Sequence, residues 1–307
     1  SSIARAMRSY RNTGAGRAVV RVRSAEALGE LLASGISHRI DPTRRIEMSA
    51  PGEGAEPSPP LSSDADPIVG FIDGGLHAAS YRPLEAWRAP ALIPDHEANR
   101  RHGNAVSSLV VHGHAWNPNR ELPSLNCRLG TVQAVPVGRA GRAVDERELV
   151  DYLGSVFRAH PETKVWNISA NQGVDDDEFG EVSTLGHELN DLARAAGILP
   201  VISIGNATGP TRTKLSPPAD CEAALTVGGR GADTRGKPGD GCPHCVSGPG
   251  PEGMLKPEVA WFSQLRMIGG NIETGSSYPT ALVSSVAAHT FHNLREPSPD
   301  LVKALLI

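Results

Sequence analysis

The stretch Ile68-Val69-Gly70-Phe71-Ile72-Asp73-Gly74-Gly75 decides the fold. A run of apolar and small residues ends in a carboxylate and then two glycines. A short apolar run bounded by turn residues reads as a strand buried on both faces, the kind that fills parallel sheets. In such sheets ligands bind beyond the carboxyl ends of the strands, so Asp73 stands where chemistry is expected.

Further strands and helices alternate downstream. His102–His112 opens a helix, and Thr131–Val137 reads as a strand. Asp145–Ala159 has helical spacing, with Leu149, Leu153, Val156 and Phe157 on one face. Lys164–Ile168 is a strand, Val182–Ala196 a helix, and Leu199–Ile204 and Ala223–Val227 are strands. Gly229–Gly253, rich in Gly, Pro and charge, reads as a loop. Gly275–Phe291 is a largely apolar helix and Ser298–Ile307 another. This alternation implies βαβ units and an α/β fold with a mostly parallel sheet flanked by helices. Upstream, residues 18–23 read as a strand and Ser24 caps a helix from Ala25 to about Ser34. Pro51–Pro60 reads as a linker. The expected organisation is a small βα appendage with its linker over 1–66, a pro-region or regulatory segment, and one large domain over 67–307.

Composition narrows the functions. The 307 residues are 39% apolar and 21% charged, which supports a globular core. Only 4% are aromatic, so that core draws on Ala, Val, Leu and Ile. A net charge of −4 gives no polyanion footprint and argues against a nucleic-acid partner. No apolar run approaches the ~18 residues of a membrane span. The four cysteines are too few to staple a chain this long, which favours a reducing cytoplasm. Secretion is the alternative, if a signal segment has been removed.

Three residues carry the candidate chemistry. Asp73 follows the first strand, His102 begins His-Gly-Asn-Ala-Val, and Ser277 lies in Thr274-Gly275-Ser276-Ser277-Tyr278-Pro279 at the head of a helix. Serine is a weak nucleophile at neutral pH. It needs an adjacent base, and the base needs an acid that fixes its tautomer and stabilises its charged form. At a helix N-terminus, backbone N–H groups can also bind a developing oxyanion. Taken singly, each residue has a plainer reading: a turn aspartate, a surface histidine, an N-cap serine.

Together the motifs resemble the subtilisin-like serine proteases. Gly70-Phe71-Ile72-Asp73-Gly74-Gly75 is similar to the family's Asp motif, and His102-Gly103-Asn104-Ala105-Val106 to its His motif. Gly275-Ser276-Ser277-Tyr278-Pro279-Thr280-Ala281 resembles its Ser motif, usually Gly-Thr-Ser. Ile204-Gly205-Asn206-Ala207-Thr208-Gly209 resembles the strand end that presents the oxyanion-hole asparagine, here Asn206. Val165–Asn171 resembles the substrate-binding strand, with Ser169-Ala170-Asn171 and Gly205 as the substrate-binding positions. Gly253-Met254-Leu255-Lys256-Pro257-Glu258-Val259 resembles the segment upstream of the serine. The resemblance covers roughly residues 67–307 and implies a three-layer subtilisin-like fold. It also implies a serine endopeptidase with an Asp73–His102–Ser277 triad, acting on a protein or peptide substrate without a catalytic cofactor. Departures fall at Asn104, Ser107 and Ser108 after His-Gly, and at the serine motif's proline, which is Pro279 here while Ala281 occupies its usual place.

Other features admit other chemistry. Cys242-Pro243-His244-Cys245 offers half of a zinc site, which Cys127, Cys221 or His244 would have to complete, or a redox pair. His112 and His114 read as ordinary surface or supporting histidines. Asp175-Asp176-Asp177-Glu178 reads as a solvated loop, with an acidic rim or a calcium site as the alternative. Two further functions compete with a constitutive protease. One is a catalytically silent protease-like binding module; the other is a latent regulatory protease activated by a partner protein.

Overall fold

The computed structural model describes residues 21–35, 55–138, 144–172, 180–207 and 214–307. The chain divides into two units, Ser1–Ser49 and Ala50–Ile307. In the first, helix α1 (Ala25–Ala33) starts at Ser24, whose hydroxyl accepts from Ala27 N–H at 3.2 Å. None of its residues is buried. The strand expected over 18–23 does not form at Arg21–Arg23, which are exposed and irregular; 18–20 lie outside the described residues. Val22, the β-branched residue of Arg21–Arg23, is exposed and has no face to bury.

The second unit is built on one sheet. Strand β1 (Ile68–Asp73) pairs in parallel with β3 (Arg128–Gln133) on one side and β4 (Val165–Ile168) on the other. Beyond β3 lies the edge strand β2 (Glu85–Arg88). Beyond β4 come β5 (Leu199–Ser203) and β6 (Leu225–Ala232), both parallel. Strand β6 then pairs in parallel with β8 (Val259–Phe262) and antiparallel with β7 (Pro238–Gly241). The shared direction of β1, β4 and β5 puts the ends of all three at one edge of the sheet.

Alternation along β1 sorts the core. Val69 and Phe71 face helices α2 (Arg100–Trp116) and α5 (Ser277–Asn293). Ile72 faces the opposite layer, with α3 (Glu146–Ala159) and α4 (Thr184–Ala196). Those two outer helices are amphipathic and capped: Asp145 accepts from Arg147 and Glu148 N–H, and Ser183 from Gly186 N–H. Helix α5 is different. Ala281, Ser284 and Ala287 are all fully buried, and its apolar residues are spread around the helix, as a helix enclosed by protein requires. Its Pro279 sits in the first turn, where a missing N–H costs nothing. A last helix, α6 (Pro299–Leu306), closes the chain.

Two expectations change. Gly229–Gly253 is not a plain loop: it carries the end of β6 and the β7 hairpin strand. Strand β7 reads Pro-Gly-Asp-Gly and has no β-forming residue, so its register against β6 alone makes it a strand. A second small sheet, β9 (Gln264–Arg266) with β10 (Ile272–Thr274), lies in the chain just before α5.

His112 is also buried, not superficial. It is 2% exposed, hydrogen-bonded to the Tyr81 hydroxyl, and breaks α2 with φ −158° and ψ 53°. Burial, followed by the neighbouring His114, pushes its pKa down to about 4. The unfolded chain therefore takes up a proton, below the ordinary 6.5, that the folded chain refuses until about 4. Stability contributed by the neutral ring is complete above pH 6.5 and lost as the pH falls towards 4, by about 3 kcal/mol in all. Urea denaturation at pH 7 and pH 5, compared between the native chain and His112→Gln, should show a smaller pH loss in the variant. Equal losses in both would rule His112 out as the cause.

Candidate active site

The edge at which β1, β4 and β5 end collects the expected residues. Asp73, the last residue of β1, is fully buried. Its Oδ1 accepts from Gly74 N–H at 2.6 Å, and its two oxygens lie 2.9 and 2.8 Å from His102 Nδ1. His102 stands in the first turn of α2, capped by Asn99, whose Oδ1 accepts from His102 N–H at 3.3 Å. The approach of α2 to the β1 turn depends on missing side chains. A Cβ on Gly103 would lie 2.3 Å from Gly75 O, and one on Gly74 would lie 2.1 Å from Asn99 O. Asn104 completes the junction, its Oδ1 accepting from His77 and Ala78 N–H at 2.9 Å each. The departure from the family pattern at Asn104 thus braces the loop after β1.

Burial pulls the His102 pKa down, but the Asp73 carboxylate opposes it through charge and hydrogen bond, and Glu273 adds to the opposition. The net direction is up from 6.5. A carboxylate against Nδ1 fixes the tautomer with its proton there and leaves Nε2 as the basic atom.

Ser277 is the first residue of α5 and is 6% exposed. Its hydroxyl donates to Ser169 O at 3.3 Å. Among the described hydrogen bonds it has none to His102, so the resting rotamer points at the β4 end. Resting geometry of this kind is common in unliganded sites, which tighten when substrate binds.

Asn206 is exposed after β5, with its Oδ1 accepting from Ser276 N–H at 2.9 Å. That contact leaves Nδ2 as a donor beside the N-terminus of α5. Ser276 Oγ in turn accepts from Gly205 N–H at 3.2 Å, so the residue before Ser277 ties both ends together. Gly205 O accepts from Val246 N–H, so both backbone polar groups of Gly205 are engaged inside the protein. Ser169 is buried and Ala170 half-buried. Asn171 braces the β4 and β5 ends: Nδ2 donates to Ser203 O at 2.7 Å and Oδ1 accepts from Ser203 Oγ at 2.9 Å.

The sequence reading missed three neighbours. Tyr278, next to Ser277, has its ring 6.3 Å from that of His102 and donates its hydroxyl to Glu273. Arg101 pairs with the same carboxylate. Arg101 and Glu273 line a cleft of about 340 Å³ with Asn104, Met267, Ile268 and Asn271. Adjacency to His102 and Ser277 was the available signal, but single residues without a motif of their own carry little weight.

Among the described residues, no three His, Cys, Asp or Glu side chains converge as a metal set. Cys127 and Cys221 are buried, and all four thiols are free. The acidic run 175–178 lies outside the described residues. Among the described residues, no helix is long and apolar enough to cross a membrane.

The model of the subtilase family matches residues 71–307, more than three quarters of the chain and all of the site just described. The chain belongs to the subtilase family of serine peptidases. No curated protein matches the sequence significantly. Solved structures share the fold. The patellamide maturation protease PatA is 22% identical, with 80% of this chain and 87% of that one covered at a TM-score of 0.57. The prenylagaramide maturation protease PagA is 20% identical, covering 80% and 84% at 0.56. A cold adapted subtilisin-like serine proteinase is 16% identical, covering 79% and 82% at 0.56.

Proposed function

We propose that the chain is a serine endopeptidase working through Asp73, His102 and Ser277. The observation that carries this is the buried Asp73 carboxylate with both oxygens on His102 Nδ1. Ser277 Oγ turns from Ser169 O to His102 Nε2 and attacks the scissile carbonyl. His102 accepts the proton and then delivers it to the leaving amine. Asp73 holds the ring and stabilises its charged form. The oxyanion is held by Asn206 Nδ2 and the Ser277 N–H, which lies among the unsatisfied donors of the first turn of α5. Once Ser277 turns, Ser169 O is released, and the substrate backbone lies along Ser169–Asn171 as an added strand. A protein or peptide is the substrate, and the triad requires no metal or organic cofactor.

Labelling with a fluorophosphonate tests this reading. The native chain should be labelled at Ser277, and Ser277→Ala and His102→Ala should not be labelled. A native chain that is folded yet unlabelled would overturn it in favour of a silent binding module or a latent protease. One observation favours latency as the second reading: the Ser277 hydroxyl is committed to Ser169 O. In that case labelling should appear when residues 1–66 are removed or a partner protein is added.

A further inference from the structure

Cys242 and Cys245 bracket a four-residue turn in which Cys245 N–H donates to Cys242 O at 3.2 Å. Both thiols are free. Cys242 is 8% exposed; Cys245 is half-buried and is the one a reagent reaches. The turn packs where only a glycine fits. A Cβ on Gly229 would lie 2.4 Å from Cys245 Sγ and 3.0 Å from Cys242 Cβ.

The same turn is bonded to the segment that presents Asn206. Asn206 and Cys245 face each other in an antiparallel bridge. Ala207 N–H donates to His244 O at 3.0 Å, and Val246 N–H donates to Gly205 O at 3.2 Å. The thiols therefore lie one backbone rung from Asn206, although more than thirty positions separate the two segments in sequence.

We propose that Cys242 and Cys245 form a reversible dithiol–disulfide site, oxidised by a small-molecule disulfide, whose closure shifts the segment presenting Asn206. The exchange balances. The Cys245 thiolate attacks one sulfur of the small disulfide, forming a mixed disulfide and expelling one thiolate. Cys242 then attacks the Cys245 sulfur and expels the second thiol. The chain gives up two hydrogens and two electrons, and the small disulfide becomes two thiols. Closure draws the sulfurs to about 2.05 Å. The backbone of this turn carries the rung to Gly205 and Ala207, so a shift made there on closure passes to the segment presenting Asn206. Burial, together with the adjacent thiol, raises the Cys245 pKa well above the thiol range. Exchange through Cys245 is accordingly slow. The effect on turnover rests on the reading of Asn206 as an oxyanion donor; the dithiol site does not.

The test uses the full chain in glutathione buffers of graded disulfide fraction, with three readouts. Peptide mapping should find a Cys242–Cys245 link, with Cys127 and Cys221 still reduced. Hydrogen exchange at the Ala207 and Val246 amides should change on oxidation. Turnover should fall about tenfold, less than the ~10²–10³ of losing the whole donor, with KM little altered. Reductant should restore it, and the Cys242→Ser/Cys245→Ser chain should not respond. No link in fully oxidising buffer overturns the site. A link that leaves both amides unchanged overturns the coupling. If link and amides respond but neither redox state hydrolyses any peptide, the dithiol site stands and the peptidase reading falls.

Discussion

Replacing His102 with alanine is expected to lower kcat on the order of 10⁶-fold with little change in KM, the size of loss found when a subtilisin loses its triad histidine. The reason lies in what surrounds the nucleophile. Serine at its ordinary acidity is almost wholly protonated at neutral pH, and its attack must be coupled to proton removal. Among the described residues the hydrogen-bond partner of Ser277 Oγ is Ser169 O, a carbonyl with no capacity as a base. The variant should keep its fold, since Asn99 still caps α2 and the Gly74 N–H still holds Asp73. Steady-state kinetics on a peptide substrate, with circular dichroism as the folding control, measures this. A residual kcat within tenfold of the native value would mean that another group removes the proton.

The second large effect comes from Asp73→Asn, which should lower kcat ~10⁴-fold while leaving the chain folded. Asparagine matches the aspartate in size, so the fully buried position stays filled. Its amide, however, turns an N–H towards Nδ1, which must then accept. The ring proton moves to Nε2, and the atom facing the nucleophile is no longer basic. The pH profile gives a separate reading. In the native chain the ring pKa lies above 6.5, with Asp73 the main upward influence. The base works in its neutral form, so activity rises as the pH passes that pKa. Loss of the carboxylate should move this acid limb to lower pH even as the plateau collapses. A variant with the native limb would mean that the group titrating there is not His102.

The strands that place the site were legible because burial on both faces writes itself as continuous apolar runs. Ile68–Ile72, Lys164–Ile168 and Leu199–Ile204 each read this way, and each ends at the edge where Asp73, Ser169 and Asn206 stand. Edge elements were not legible for the opposite reason. Strand β2, Glu-Ala-Trp-Arg, alternates half-buried and exposed residues and never accumulates a run. Strands β9 and β10 have three residues each, too few for any period to show. The expected strand over 131–137 starts earlier, at Arg128, and stops at Gln133. The order Val-Pro-Val-Gly that follows was mistaken for its continuation. Long-range placement was beyond reach altogether. Nothing in Cys242-Pro243-His244-Cys245 says that it lies against Asn206, and nothing in Glu273 says that Arg101 and Tyr278 share it.

Helix α5 carries the nucleophile and is also enclosed between the sheet and its neighbours. The contact from Ser277 to Ser169 spans 108 positions of sequence. Such distant contacts are the slowest that a chain makes, because the intervening segment must be ordered before they form. Hydrolytic power therefore cannot emerge piecemeal. A chain that has formed β1, α2 and their Asp73–His102 pair holds a base with nothing to activate. In the proposed mechanism the serine meets that base only where α5 is packed against the sheet.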